Sequence, residues 1–225
     1  VAPKVEVLED HLERPLPFGE DPMPALLASG EVSEEAVGIF TFGPLMSRLI
    51  DIFERYFLDL AADFGAKPYR FPTLISAGAI VLEPFSGSGS QIIAAEKLGR
   101  VNYFRAFPHS LTFATHLRED LDIINDFSQQ TAYEADGLNT SLESFSKIQA
   151  LLSPAVCYHL YFALADKPLP GGRLAATSAG NCFRYESNNL TTLERMWNFT
   201  MREVIFVGPA DYVLEQREAA RLHVE

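Results

Sequence analysis

The sequence predicts an α+β fold, an antiparallel sheet with helices packed around it. Three observations carry that expectation. The stretch NCFRYESNNLTTLERMWNFTMREVIFVG, from Asn181 to Gly208, reads as two strands joined by a polar loop. A long amphipathic helix stands well upstream of them. The repeated strand-helix alternation that a doubly wound sheet requires is missing from the flanks.

Taken in order, residues 1–35 form an acidic, proline-bearing lead-in (Pro3, Pro15, Pro17, Pro22, Pro24) that suits an extended or loosely packed segment. From Pro44 to Asp63, Leu45, Leu49, Ile52, Phe53, Tyr56, Phe57 and Leu60 recur at helical spacing, with Pro44 in the first turn and Gly65 at the stop. PYRFPTLIS, residues 68–76, carries prolines that are tolerable at a strand start or edge. HLREDLDIINDF (116–127) predicts a helix, and the segment after Thr140 another, with Glu143 completing a capping box. LSPAVCYHLYFAL and a turn at 168–172 lead to the two strands, and a last helix begins at Pro209. The main domain is therefore expected over 36–225.

Composition bounds the function. The 225 residues are 48% hydrophobic and 21% charged, ordinary for a folded domain. No run approaches the roughly 20 apolar residues of a membrane span, and the start, VAPKVEVLEDHLERPLP, lacks a signal-peptide pattern. A cytoplasmic protein with no membrane partner is the expectation. Two cysteines, Cys157 and Cys182, are too few for a disulfide framework. A net charge of -12 argues against a large nucleic-acid footprint, so transfer RNA is not an expected partner.

Two segments compete to carry chemistry. VLEPFSGSGSQIIAAEKLGR (81–100) has the strand, glycine turn and helix of a cofactor loop, and its E-P-F-x-G-x-G form, Glu83 to Gly89, resembles the motif of amino-group DNA methyltransferases that use S-adenosylmethionine. Those enzymes also need a Pro-Pro segment, which this chain lacks. The favoured reading is a glycine-rich insert at 81–100.

The other segment is the strand pair. By alternation Cys182, Arg184 and Glu186 share one face, and Phe199, Met201, Glu203, Ile205 and Val207 share another. If the two faces coincide, two carboxylates, a guanidinium, a thiol and an aromatic ring converge, and such charges either pair or await a ligand. The alternative is an Arg184–Glu186 or Arg202–Glu186 ion pair on a solvated hairpin. Spacing alone leaves both open.

F-R-x-E (Phe183 to Glu186), a variable loop, and R-x-x-x-F (Arg195 to Phe199) resemble motif 2 of the class II aminoacyl-tRNA synthetases, and the helix followed by YRFPTL resembles their motif 1. LLASGEVSEEAVGIFTFGP, FRAFPHSLTF, LSPAVCYHLYFAL, CFRYES and FTMREVIFVG together resemble the amino acid:[carrier protein] ligases, relatives of seryl-tRNA synthetase, over most of residues 25–218.

The resemblance implies a class II catalytic domain with the motif 2 hairpin near the centre of its sheet. It implies activation of a small amino acid with ATP and Mg2+ as an adenylate, and transfer of the acyl group to the phosphopantetheine arm of a carrier protein. Arg184 would clamp the α-phosphate, Glu186 would hold the adenine amino group or the substrate, Arg195 would reach the outer phosphates, and Phe199 would stack on adenine. A zinc ion would bind the substrate amino group through Cys157, Glu203 and a third ligand that this sequence lacks after Glu203. Cys182 could substitute only if its strand face points at Cys157, and His159 is either a satisfied core histidine, the favoured reading, or a makeshift ligand. Dimerisation would use the motif 1 helix, with Phe53, Tyr56 and Phe57 as contacts. Docking of an acidic carrier would need a basic surface near Arg173, Arg217 and Arg221. The family's C-terminal motif 3 is not found in the 225 residues, so weak or absent adenylation by this chain is expected, and a non-catalytic synthetase-like remnant is a further alternative.

Overall fold

A computed structural model describes residues 19–76, 108–134, 137–164, 167–186, 190 and 193–224. The insert expected at 81–100, with the Glu83–Gly89 motif, and the first half of the lead-in lie outside them.

The rest of the lead-in is regular. Helix α1 (Met23–Ser29) ends at Gly30, whose φ of 74° is left-handed and suits glycine. Strands β1 (Val32–Ala36) and β2 (Ile39–Phe42) then form a hairpin turning at Gly38, also left-handed. Val32 is buried, so this segment joins the fold where an extended lead-in was expected.

Helix α2 runs Pro44–Asp63, as its periodicity predicts. Its first turn is capped from a distance. The Glu31 carboxylate accepts the amides of Leu45 (2.8 Å) and Met46 (3.2 Å), placing a negative charge at the positive end of the helix. Gly43 makes room for this, because a Cβ there would lie 2.7 Å from Glu31 Oε2.

Short strands β3 (Lys67–Pro68), β4 (Leu74–Ser76) and β5 (Thr112–Ala114) follow. Helix α3 (Leu121–Gln130) starts later than expected because Asp120, in extended backbone, is its N-cap. The Asp120 carboxylate accepts the amides of Asp122 and Ile123, a cap worth about 1 kcal/mol. After the hairpin β6 (Ala132–Glu134) and β7 (Gly137–Asn139), the helix expected beyond Thr140 is one 3-10 turn, Leu142–Ser144, capped by Ser141. The chain then extends into β8 (Ala150–Leu152).

Helix α4 (Cys157–Leu164) precedes the two long strands, β9 (Leu174–Phe183) and β10 (Asn198–Val207), and α5 (Ala210–Val224) closes the described chain. β9 and β10 pair antiparallel over their whole length, with Phe199 opposite Cys182 and Glu203 opposite Ser178. β9 is central, with β10 on one side and β3, parallel, on the other. A second sheet has the order β4-β8-β5.

Alternation gives the β9–β10 pair two different faces. On the back, α2 packs: Arg202 pairs with Glu54, and the Phe206 ring meets Phe64 edge-on at 5.5 Å. On the front, Ala176 and Ile205 join Ile75, Leu151, Tyr158 and Leu160 in the main core, between the long strands, α4 and the second sheet. Burying a leucine such as Leu151 or Leu160 contributes about 2 kcal/mol, so α4 is held firmly against the front face.

Candidate functional site

The front face extends past the core toward the loop end of the hairpin, where the predicted residues gather. The ladder continues beyond β9, since the Arg184 amide donates to the Trp197 carbonyl at 2.9 Å. Arg184 therefore keeps the face of Cys182, and the two faces left open by alternation coincide. The guanidinium carbon lies 5.6 Å from the centre of the Phe199 ring, a cation–π arrangement. Its Nε donates to the Pro154 carbonyl at 2.9 Å. That bond fixes the head of the side chain to the loop before α4, and no acceptor among the described residues takes the terminal nitrogens of the fork.

Behind Arg184 stand Cys182, Glu203 and Cys157. The Glu203 carboxylate accepts from both the thiol and the amide of Cys157. Burial pushes its pKa above 4.5, with the Cys157 hydrogen bonds and the Arg184 charge pulling the other way. Cys182 is fully buried, and its thiol is pushed up to about 12 by burial and by the nearby Glu203 charge, against the opposing pull of Arg184. Neither thiol takes part in a disulfide.

Three buried polar atoms on this side of the sheet have no hydrogen-bond partner among the described residues: Glu203 Oε2, Ser178 Oγ and His159 Nε2. Atoms of this kind ordinarily cost about 1–3 kcal/mol each when left unpaired. His159 departs from expectation. Its ring stacks on Phe71 at 5.4 Å and burial lowers its pKa, yet its Nε2 has no partner among the described residues.

Glu186 and Arg195 meet in a different way from either anticipated ion pair. Arg195 Nε lies 3.1 Å from Glu186 Oε2, both partly exposed at the hairpin end. Arg202 turns to the back, where Glu54 takes its fork and Thr177 accepts from Nη1 at 2.9 Å. Arg195 and Arg202 thus pair with Glu186 and Glu54, respectively.

Trp197 is a positioning residue that sequence reasoning missed. Its amide donates to the Gly38 carbonyl (2.7 Å), its indole N–H donates to Thr112 Oγ1 (2.7 Å), and its ring meets Tyr185 edge-on at 4.9 Å. It thereby ties the hairpin end to the β1–β2 turn and to β5. Gly38 is crowded by Leu190 and by the Trp197 amide, with 3.1 Å left for a Cβ. The available signal was that this is the sole tryptophan, placed two residues before Phe199.

The zinc set is not completed. Cys157 and Glu203 are adjacent, but among the described residues no three His, Cys, Asp or Glu side chains come together as a metal site, so Cys182 does not supply the third donor. Of the residues expected at a basic docking surface, Arg221 pairs with Glu218 at 2.8 Å, and Arg173 lies over the Tyr212 ring at 5.5 Å.

The fold can be matched directly. It superposes on M. kandleri SerRS, in a crystal structure with A. aeolicus tRNASec, with a TM-score of 0.75 at 20% identity, covering 98% of this chain and 41% of that one. The chain has a class II aminoacyl-tRNA synthetase fold. A second class II neighbour, Giardia lamblia prolyl-tRNA synthetase in complex with prolyl-adenylate, gives a TM-score of 0.59 at 14% identity over 86% of this chain and 32% of that one.

In sequence, the synthetase-like chain is similar to amino acid–[acyl-carrier-protein] ligase 1 of Bradyrhizobium diazoefficiens, 33% identical over 128 residues, or 56% of this chain and 37% of the relative. It is also similar to ligase 2 of the same organism, 34% identical over 123 residues, or 54% and 35%. The matched region thus spans little more than a third of the length of these curated relatives. No protein-family model matches the chain. No helix among the described residues is long and apolar enough to cross a membrane.

Proposed function

We propose that the front face of β9 and β10 is the adenylate site of an ATP-dependent amino acid:[carrier protein] ligase. The observation that carries this reading is Arg184, stacked on Phe199 and fixed by one nitrogen, facing a buried carboxylate with an unpartnered oxygen. A nucleotide base can share the Phe199 ring, a phosphate can take the free prongs of the guanidinium, and a substrate ammonium can donate to Glu203 Oε2.

In the proposed reaction the amino acid carboxylate attacks the α-phosphorus of ATP. The P–O bond to pyrophosphate breaks, and the aminoacyl-adenylate forms. A phosphopantetheine thiolate of a carrier protein then attacks the acyl carbon and AMP leaves. Arg184 stabilises charge on the α-phosphate oxygens. Arg195 reaches the outer phosphates once it releases Glu186, freeing that carboxylate for the adenine amino group or the substrate. Mg2+ would supply charge neutralisation on the pyrophosphate.

Cys157 and Glu203 are also the pair that a substrate-binding zinc would take. With no third donor among the described residues, amino-group recognition is derived from Glu203 alone. A carrier protein is favoured over tRNA by the net charge of -12 and by the names of the curated relatives.

Calorimetric titration tests the site. ATP is expected to bind wild-type protein and to lose binding in Arg184→Ala with the melting temperature retained. Binding of S-adenosylmethionine without ATP would overturn the reading. A homodimer through α2 is part of the proposal, because Leu45, Ile52, Phe53 and Tyr56 are each about half exposed or more, while Phe57 is only partly so. Light scattering on Phe53→Glu/Tyr56→Glu should report a monomer.

A further inference from the structure

On the back of the sheet, where the C-terminal end of α2 meets β3, β9 and α5, a cleft of about 390 Å³ is lined by Phe64, Lys67, Arg173, Tyr212 and Gln216, among others. None of its lining residues is acidic, in a chain with 30 carboxylates against 18 Lys and Arg. Neither the Lys67 nor the Arg173 side chain has a hydrogen-bond or ion-pair partner among the described residues. The neighbouring Asp63 instead faces His223, at 3.7 Å.

The wall is shaped by close packing. Arg173 lies over the Tyr212 ring at 5.5 Å, and both press on Gly208, where a Cβ would come within 2.9 Å of Tyr212 and 3.1 Å of Arg173. Glycine at this position is what lets the Arg173 backbone and Cβ and the phenol ring pack against the strand end together.

We infer that this cleft binds a small phosphate monoester with an aromatic body. Two cations match the two charges of such a phosphate, whereas a single carboxylate would leave one uncompensated. The planar fork of Arg173 and the point charge of Lys67 are complementary donors for phosphate oxygens. Tyr212 and Phe64 offer aromatic surface for the rest of the ligand, and Gln216 offers an amide. The volume falls within the range of small-molecule sites, roughly 300–1,000 Å³. A locally positive cleft on an acidic protein also concentrates anions where the remaining surface repels them. Because it opens on the face away from Arg184, the site is separate from the proposed adenylate site and does not rest on that assignment.

The test is titration of phenyl phosphate, with inorganic phosphate and benzoate as comparison probes, against wild type, Lys67→Gln/Arg173→Gln, Gly208→Ala and Arg184→Ala. Wild type is expected to bind phenyl phosphate saturably and about tenfold more tightly than either comparison probe, a difference near 1.4 kcal/mol. The double variant should lose at least about tenfold, Gly208→Ala should weaken binding, and Arg184→Ala should keep the saturable component that the cleft substitutions remove. Both cations are exposed, so the double variant is expected to fold, with Lys67→Gln alone as the fallback. Absence of saturable binding by wild type overturns the inference. So does binding indifferent to the cleft substitutions, or binding lost with Arg184.

Discussion

The two faces of one strand pair handle charge in opposite ways. On the back, Arg202 is held by Glu54 and Thr177, and every partner comes from within the chain. On the front, one step along the same strand, Glu203 keeps an oxygen without a partner among the described residues, as do its cross-strand neighbour Ser178 and, on α4, His159. Alternation separates adjacent residues by the thickness of the sheet, so Arg202 and Glu203 obey different rules although they are neighbours in sequence. A buried charge that is fully paired holds α2 to the sheet. A polar group left unpaired at a cost in stability is where a ligand can repay it.

Substitutions can break or sharpen this contrast. The largest effect is expected at Arg184→Ala, which should weaken ATP binding by about a hundredfold, near 3 kcal/mol, while shifting the melting temperature little, since among the described residues the side chain's hydrogen bond is the one to the Pro154 carbonyl. Next is Arg202→Met, which strands Glu54 and removes the Thr177 contact. Because Glu54 is about one-third exposed, the cost should be about 2 kcal/mol, below that of a fully buried pair. Chemical denaturation should show it, with ATP affinity close to wild type.

Glu203→Gln should act in the opposite direction on stability. The folded state raises the pKa of this carboxyl above 4.5, so the unfolded chain gives up the proton first as pH rises. Stability contributed here is intact below that value and is lost upward through the folded-state pKa. In metal-free protein the variant should therefore be more stable than wild type at pH 7 and indistinguishable at pH 4, while losing amino acid binding. A denaturation series across that window reads both. The smallest effect belongs to Glu186→Gln, which disrupts a partly exposed pair and should change stability by no more than about 0.5 kcal/mol. A larger loss would mean that the hairpin end depends on this pair as α2 depends on Arg202.

Local signals were legible in sequence where they are strong and short-range. The α2 boundaries match its periodicity, and alternation correctly groups Cys182 with Arg184 and Phe199 with Glu203, while that the two groups share one face is decided by the register. Legibility fails where a partner is distant. The Glu31 cap on α2, the Trp197 bond to Thr112 and the Glu54 clamp on Arg202 each join residues far apart in the chain. The α3 start was misplaced for a local reason, since Asp120 outcompetes earlier residues by capping the helix with its own side chain.

By itself the sequence determined the α+β class, the amphipathic helix and which side chains of each strand travel together, because helical and strand periodicities are properties of neighbouring residues. The tertiary structure decided which charges are spent on holding the fold and which are left open. Glu54 and Glu186 are both carboxylates of ordinary appearance, and only the packing of α2 on the back of the sheet makes one an internal counterion while the other stays at the hairpin end with Arg195. Pairing depends on distance and desolvation, and both are set by how elements pack rather than by their order along the chain.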